Sequence, residues 1–93
     1  MPPAHRLGDI CTGHACFPSR PNVQGSPNVF INNIPAHRLT DAWGVHCCFG
    51  CHGGIAASGS PDVFTNNLPQ TRIGDAVNCG SVMATGSPNV IVN

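Results

Sequence analysis

Histidine and cysteine carry most of the reactive chemistry in this 93-residue chain, which has five His and six Cys. Three of them, His14, His46 and Cys79, stand four or five residues after the aspartate of a recurring motif. Equivalent positions of a three-part ring converge on its axis, and His52 in the longest insert offers a fourth ligand. Three imidazoles and one thiolate form a closed tetrahedral site that suits structural Zn²⁺, with iron as the alternative metal.

The remaining cysteines define a rival, sulfur-rich site. Cys47, Cys48 and Cys51 crowd beside His52, and Cys48 and Cys51 form a CxxC motif, which is a moderate signal without a second pair. In this alternative Cys48 or Cys51 replaces one His ligand, and in a further alternative no metal binds. Another close pair is formed by Cys11 and Cys16. We interpret these two as buried apolar thiols or, outside the cell, as a disulfide.

A repeat positions the candidate ligands. The segment GSPNVFINNIPAHRLTD at Gly25–Asp41 returns as GSPDVFTNNLPQTRIGD at Gly59–Asp75, and parts of it stand at 3–9 and 86–93. A repeat that is cut circularly in this way favours a closed three-part ring over an open solenoid, which normally needs atypical capping repeats. The inserts between copies hold all six Cys and should project from one face of the ring.

The charged side chains also follow the repeat. Three of the four Arg and three of the four Asp form copies of one Arg-x-x-Asp turn, which begins at Arg6, Arg38 and Arg72. We expect each Arg to pair with an Asp, either of its own or of a neighbouring repeat, and so to lock the ring. The alternative is three exposed pairs that contribute little to stability.

Short strands and turns account for the rest of the repeat. Val29–Ile31, Val63–Thr65 and Val90–Val92 are β-branched and aromatic, which is typical of strands. Asn32-Asn33 and Asn66-Asn67 follow two of them and tolerate the positive φ of a tight hairpin. No window has a helical period, so the sequence predicts an all-β fold.

Length and composition exclude several classes of protein. Residues 1–93 are predicted to form a single small domain with a thin core, which needs a staple such as a metal. The net charge is zero, which argues against nucleic acid as a partner. No apolar run is long enough to span a membrane. The sequence after Met1 does not read as a signal peptide, so we expect a cytoplasmic protein unless it leaves by another route.

The three motif copies resemble the Pro-Ala-Ala-Arg motif of the PAAR-repeat proteins. They are Pro3–Asp9, Pro35–Asp41 and Pro69–Asp75. His replaces the third motif residue twice, and Gln-Thr replaces Ala-Ala in the third copy, which is interpreted as drift in a framework turn. Thr40 replaces a Gly, which is unusual if that turn needs positive φ.

The resemblance implies a small cone of three β-hairpin repeats with pseudo-three-fold symmetry, circularly closed, with a metal at its apex. The family's three-His, one-Cys site matches His14, His46, His52 and Cys79. The broad base of such a cone caps the trimeric β-helical VgrG spike of type VI secretion systems, and contractile phage tails use a similar tip.

The implied function is therefore that of a non-enzymatic spike tip. One copy, monomeric when alone, would cap each VgrG trimer, recruit effectors by non-covalent contact and touch the target membrane transiently. It would be cytoplasmic before firing and then be injected into the target cell without a signal peptide. The alternative functions are a thiol oxidoreductase that uses Cys48 and Cys51, and a small metal-binding module for storage.

Overall fold

Short antiparallel hairpins make up the regular structure. The computed structural model describes residues 2–93 and has three separate two-stranded sheets: β1 (Phe30–Ile31) with β2 (Ile34–Pro35), β3 (Ala42–Cys47) with β4 (Cys51–Ile55), and β5 (Phe64–Thr65) with β6 (Leu68–Pro69). These residues contain no helix, which confirms the predicted all-β class. Accordingly, no helix long and apolar enough to cross a membrane occurs among them.

Two copies of the repeat form the same small hairpin, β1–β2 and β5–β6. Their Asn-Asn turns have φ angles of 54° and 64° in both copies, the left-handed region that Asn tolerates, so the predicted tight turn is confirmed. In the third copy Ile91 forms a bridge with Pro3, and the Ala4 N–H donates to the Val90 carbonyl at 2.9 Å. The two ends of the sequence therefore pair with each other, and the ring is closed.

A triangle of backbone hydrogen bonds joins the three motif copies. His5 N–H donates to the Thr71 carbonyl at 3.0 Å, Thr71 N–H to the His37 carbonyl at 3.2 Å, and His37 N–H to the His5 carbonyl at 3.2 Å. The Gln70 side-chain Nε2 donates to the same three carbonyls at 3.0–3.1 Å. Gln70 is 2% exposed and seals the triangle, so it is a structural residue rather than drift in a framework turn.

The Gly-Ser-Pro turns interlock with the hairpin turns. Each serine is buried, and its hydroxyl donates to an asparagine of another copy: Ser26 to Asn66 Oδ1 at 2.6 Å, Ser87 to Asn32 Oδ1 at 2.5 Å, and Ser60 to the Asn93 carbonyl. The three bonds run once around the ring, so each copy holds the next.

The Arg-x-x-Asp turns form three ion pairs, each within its own motif rather than between neighbouring repeats. The N–O distances are 2.8–3.0 Å, and the side chains are mostly buried. Each guanidinium also donates to the carbonyl of a glycine that precedes a Ser-Pro turn: Arg6 to Gly86, Arg38 to Gly25, and Arg72 to Gly59. The pair therefore fixes its own turn, and the guanidinium links that turn to a strand.

The turn inside each motif does require positive φ. Gly8 has φ of 86° and Gly74 has φ of 94°, and Thr40 at the equivalent position adopts 74°. A β-branched residue is strained in this region. The replacement of Gly by Thr at position 40, which the sequence showed to be unusual, therefore places Thr40 in an unfavourable backbone conformation.

The inserts pack around a thin apolar core. The core consists of Cys11, Trp43, Ala56, Val77 and Met83, and the molecule is elongated, at 37 × 24 × 21 Å. The β3–β4 hairpin, which the sequence did not predict, is the longest regular element and lies entirely within the second insert. This hairpin contributes Trp43 to the core and carries two of the four candidate ligands.

Candidate metal centre

His46 and His52 are supplied by the β3–β4 hairpin. They are cross-strand partners, and a register irregularity lies between Trp43 and His46. A bulge of this kind re-aims side chains along a strand. Trp43 and His46 are consequently both buried, at 3% exposure each, although alternation alone would place residues 43 and 46 on opposite faces.

His14 is supplied by a tight turn in the first insert. His14 and Phe17 exchange backbone hydrogen bonds of 3.1 and 2.8 Å, and Ala15 between them has φ of 49°. Gly13 has φ of 76°, and a Cβ there would lie 2.5 Å from the Phe17 carbonyl oxygen. Only glycine therefore fits before His14, and the turn directs the imidazole inward.

Cys79 is supplied by a turn in the third insert. Val77 N–H donates to the Ser81 carbonyl at 2.9 Å, and Gly80 N–H donates to the Val77 carbonyl at 3.0 Å. Gly80 has φ of 108°, a conformation that favours glycine. The turn holds Cys79 half-buried at the edge of the core.

The structure brings all four predicted ligands together. The ligand atoms of His14, His46, His52 and Cys79 all lie within 4.8 Å of one another. The Nε2 atom of His52 is 3.1 Å from that of His14 and 2.8 Å from that of His46, which is 4.0 Å from Cys79 Sγ. Ligand atoms around a tetrahedral Zn²⁺ lie roughly 3.3–3.6 Å apart, so the group fits such an ion after small shifts. That the group binds metal, and which metal, remain predictions.

His46 presents the nitrogen that a metal needs. His46 Nδ1 is 2.8 Å from the Pro18 carbonyl, which can only accept, so Nδ1 carries the proton and Nε2 offers its lone pair. This is the usual outer contact of a metal-binding histidine. Desolvation, together with the nearby His46, His14 and Arg20, lowers the pKa of His52. A low pKa favours the neutral imidazole, which is the form that binds metal.

Cys79 is surrounded by donors that favour its thiolate. Burial acts to raise the pKa of the Cys79 thiol, but hydrogen bonds from Ser81 and Arg20 and the Arg20 charge bring it below its usual value. Arg20 Nη2 donates to Cys79 Sγ at 3.4 Å, and Nη1 donates to Cys11 Sγ at 3.1 Å. Because thiolate is the metal-binding form of cysteine, these contacts prepare Cys79 as a ligand.

An aromatic ring covers the three imidazoles. The Phe17 ring centroid lies 4.7 Å from that of His14, 4.9 Å from that of His46 and 4.4 Å from that of His52. Such a cover limits the access of water to the ligand atoms and restricts the imidazoles to one arrangement.

The sulfur-rich alternative is not supported. Disulfides join Cys16 to Cys48 and Cys47 to Cys51, while Cys11 and Cys79 are free. Cys48 and Cys51 therefore belong to different disulfides and do not form the redox pair that CxxC suggested, and neither thiol is available to replace a His ligand. Cys11 does not pair with Cys16, and it lies in the core beneath Arg20.

Two residues of the centre were not identified from the sequence. Arg20 is the one Arg outside the Arg-x-x-Asp turns, and that isolation was the available signal. It is 5% exposed, donates through Nε to the Gly44 carbonyl at 2.8 Å and stacks 5.1 Å above Trp43. Phe17 carried no signal, because nothing in the spacing distinguishes it from a core aromatic residue.

Comparison with known proteins gives one family. The family model described as the PAAR motif matches residues 4–85 of the 93-residue chain. The match covers all four candidate ligands and, except for Pro3, all three motif copies. The chain matches no curated protein.

Proposed function

The chain belongs to the PAAR-motif family, and we propose that it is a non-enzymatic spike tip that caps a trimeric VgrG-type β-helical spike in a type VI secretion or related contractile machine. Proteins of this family are structural tip proteins, which agrees with a non-enzymatic role. One copy would seat on each trimer, with its hairpin turns against the spike and its metal centre pointing away.

One observation carries the proposal: an apolar residue is exposed to the same degree in every copy of the repeat. Phe30, Phe64 and Ile91 stand five residues after the glycine of each Gly-Ser-Pro turn, and they are 56%, 57% and 58% exposed. A surface that repeats an apolar contact three times suits a partner with three identical faces, because each face then meets the same chemistry.

The polar groups near this surface favour an apolar contact over a charged one. The three Arg-x-x-Asp pairs are neutralised internally, and the Asn32 and Asn66 side chains are bonded to other copies. Binding should therefore depend weakly on salt, unlike an interface steered by charge.

The opposite end has features that suit a tip under mechanical load. The four candidate ligands come from three separate inserts, so a metal there would tie all three together. The Cys16–Cys48 disulfide joins the first insert to the second, and the Cys47–Cys51 disulfide closes the β3–β4 hairpin. Cross-links of both kinds stabilise a domain whose apolar core is thin.

The cellular setting follows from the proposal. The chain would be held in the cytoplasm on the loaded spike and then be delivered to the target cell on firing, with effectors attached by non-covalent contact and the membrane met transiently.

The test is binding to a purified VgrG-type trimer by a docking variant and a matched control. Phe64→Asp places a carboxylate on the proposed docking surface. Phe49→Asp makes the same change in the β3–β4 turn, where Phe49 is fully exposed. We expect Phe64→Asp to weaken binding at least tenfold and Phe49→Asp to leave it unchanged. Equal binding by both variants would place the contact elsewhere.

A further inference from the structure

Three buried nitrogen atoms in the described residues lack a hydrogen-bond partner within the protein, and all three lie in one cluster. They are His5 Nε2, His37 Nε2 and Trp43 Nε1. The two histidines are 0% exposed and Trp43 is 3% exposed. The ring centroids are 5.2 Å apart for His5 and His37, 5.2 Å for His5 and Trp43, and 5.4 Å for His37 and Trp43.

The backbone fixes which of these atoms donate and which accept. His5 Nδ1 lies 2.7 Å from the Thr85 carbonyl, and His37 Nδ1 lies 2.7 Å from the Gln24 carbonyl. A carbonyl only accepts, so each Nδ1 carries the proton and each Nε2 bears a lone pair. Burial lowers the pKa of His5 to about 4 and lowers that of His37, so both rings are neutral at neutral pH. Trp43 Nε1 can only donate.

We propose that His5 Nε2, His37 Nε2 and Trp43 Nε1 together bind one buried water molecule. The water donates its two protons to the two Nε2 atoms and accepts the indole N–H, so one molecule satisfies all three groups. Buried waters typically make about three hydrogen bonds to polar groups that would otherwise be unsatisfied. The water becomes part of the axial core between the backbone triangle and the metal centre, since Trp43 also stacks under Arg20.

The third copy of the repeat has a smaller side chain at the position of the two histidines. Two copies place an imidazole at this position, and the third places Thr71, a smaller side chain. Thr71 Oγ1 donates to the His37 carbonyl at 2.8 Å, so its hydroxyl proton is already used. Thr71 therefore has no hydroxyl proton left for either Nε2 atom, and both atoms lack a partner within the protein.

A metal ion suits the cluster less well than water. Only two of the three atoms could act as ligands, and the indole N–H would remain unpaired with its positive end near a cation. Neither histidine of the cluster belongs to the group of four candidate ligands at the apex. The occupant is therefore a neutral molecule that both donates and accepts.

The test uses Trp43, the single tryptophan of the chain, whose indole N–H resonance needs no further assignment. With ¹⁵N-labelled protein we expect a rotating-frame Overhauser peak between this proton and water, opposite in sign to an exchange peak. Long-range ¹⁵N spectra should show protons on both Nδ1 atoms. In His37→Phe, which keeps a ring but loses one acceptor, the Overhauser peak should fall at least twofold.

Three results would overturn the inference, two from solution and one from a crystal structure. One is an indole resonance with no Overhauser contact to water in the wild-type protein. The second is a second bound metal equivalent, measured by elemental analysis of the wild-type chain, that disappears in His37→Phe. A crystal structure with an ordered water about 2.7–3.2 Å from all three nitrogens would support it directly, and a structure with no density there would contradict it.

Discussion

Gln70 is the residue whose replacement tests the axial core most sharply. Its Nε2 donates to the His5, His37 and Thr71 carbonyls, and its Oε1 accepts from the Thr65 hydroxyl at 2.7 Å. Gln70→Ala is compatible with the backbone, because the equivalent residues are alanines. The variant loses the hydrogen bonds of two amide protons, which contribute about 1 kcal/mol each to stability. It also leaves the buried Thr65 hydroxyl without its acceptor, at a cost of about 1 kcal/mol or more. The cavity left by the missing side-chain atoms destabilises the fold by about 1 kcal/mol more.

The expected total for Gln70→Ala is therefore about 3–5 kcal/mol, and at roughly 4 °C or more per kcal/mol for a chain of this size the Tm should fall by at least about 12 °C. The assay is thermal unfolding at fixed metal content. Gln70→Glu should destabilise more, since it turns an oxygen toward three carbonyl oxygens. Gln24→Ala is the matched control at an exposed glutamine and should cost under about 1 kcal/mol. A Gln70→Glu variant as stable as the wild type would refute the reasoning.

Four further predictions concern the metal, a strained turn and pH. Cys79→Ser should lower metal content and Tm together, since structural zinc contributes on the order of 10 kcal/mol to folding. Arg20→Gln should weaken metal binding by about 10–100-fold, as measured by competition with a chelator. Thr40→Gly should stabilise the chain by up to about 1 kcal/mol in thermal unfolding, because it removes the strain of φ 74°, and an unchanged or lower Tm would show that the turn is not strained. The pKa of His5 falls from 6.5 to about 4 in the folded chain, so the unfolded chain binds more protons between these values. The free energy of unfolding should then fall by roughly 3 kcal/mol as pH falls from about 6.5 to about 4. The measurement uses the Cys79→Ser background, and a stability that does not change with pH there would contradict this prediction.

The repeat made much of the site predictable. Offsets of four or five residues from the motif aspartate placed His14, His46 and Cys79 at similar positions of a ring, and the structure brings their ligand atoms together with that of His52. The Asn-Asn turns were predictable for a similar reason, since a positive φ at two successive residues strongly restricts which residues fit.

Other features depend on contacts between distant segments, which the sequence pattern does not encode. The β3–β4 hairpin has glycines and a register irregularity, so it lacks the regular alternation by which strands are recognised. The sequence led us to interpret Gln70 as drift in a framework turn. Its hydrogen-bond partners are carbonyls from all three copies, and a repeat pattern does not show such contacts. The pairing of four cysteines has several solutions by spacing alone, and the fold selects Cys16–Cys48 and Cys47–Cys51.

The central claim is that one chain, closed into a ring with three similar apolar contacts, caps one trimeric spike. Its most direct test is the mass of the complex between the purified chain and a VgrG-type trimer, measured by native mass spectrometry. The account predicts one chain per trimer at saturation, and a monomer when the chain is alone. Three chains per trimer would mean that each face binds a separate copy, and would contradict both the docking surface and the function proposed from it.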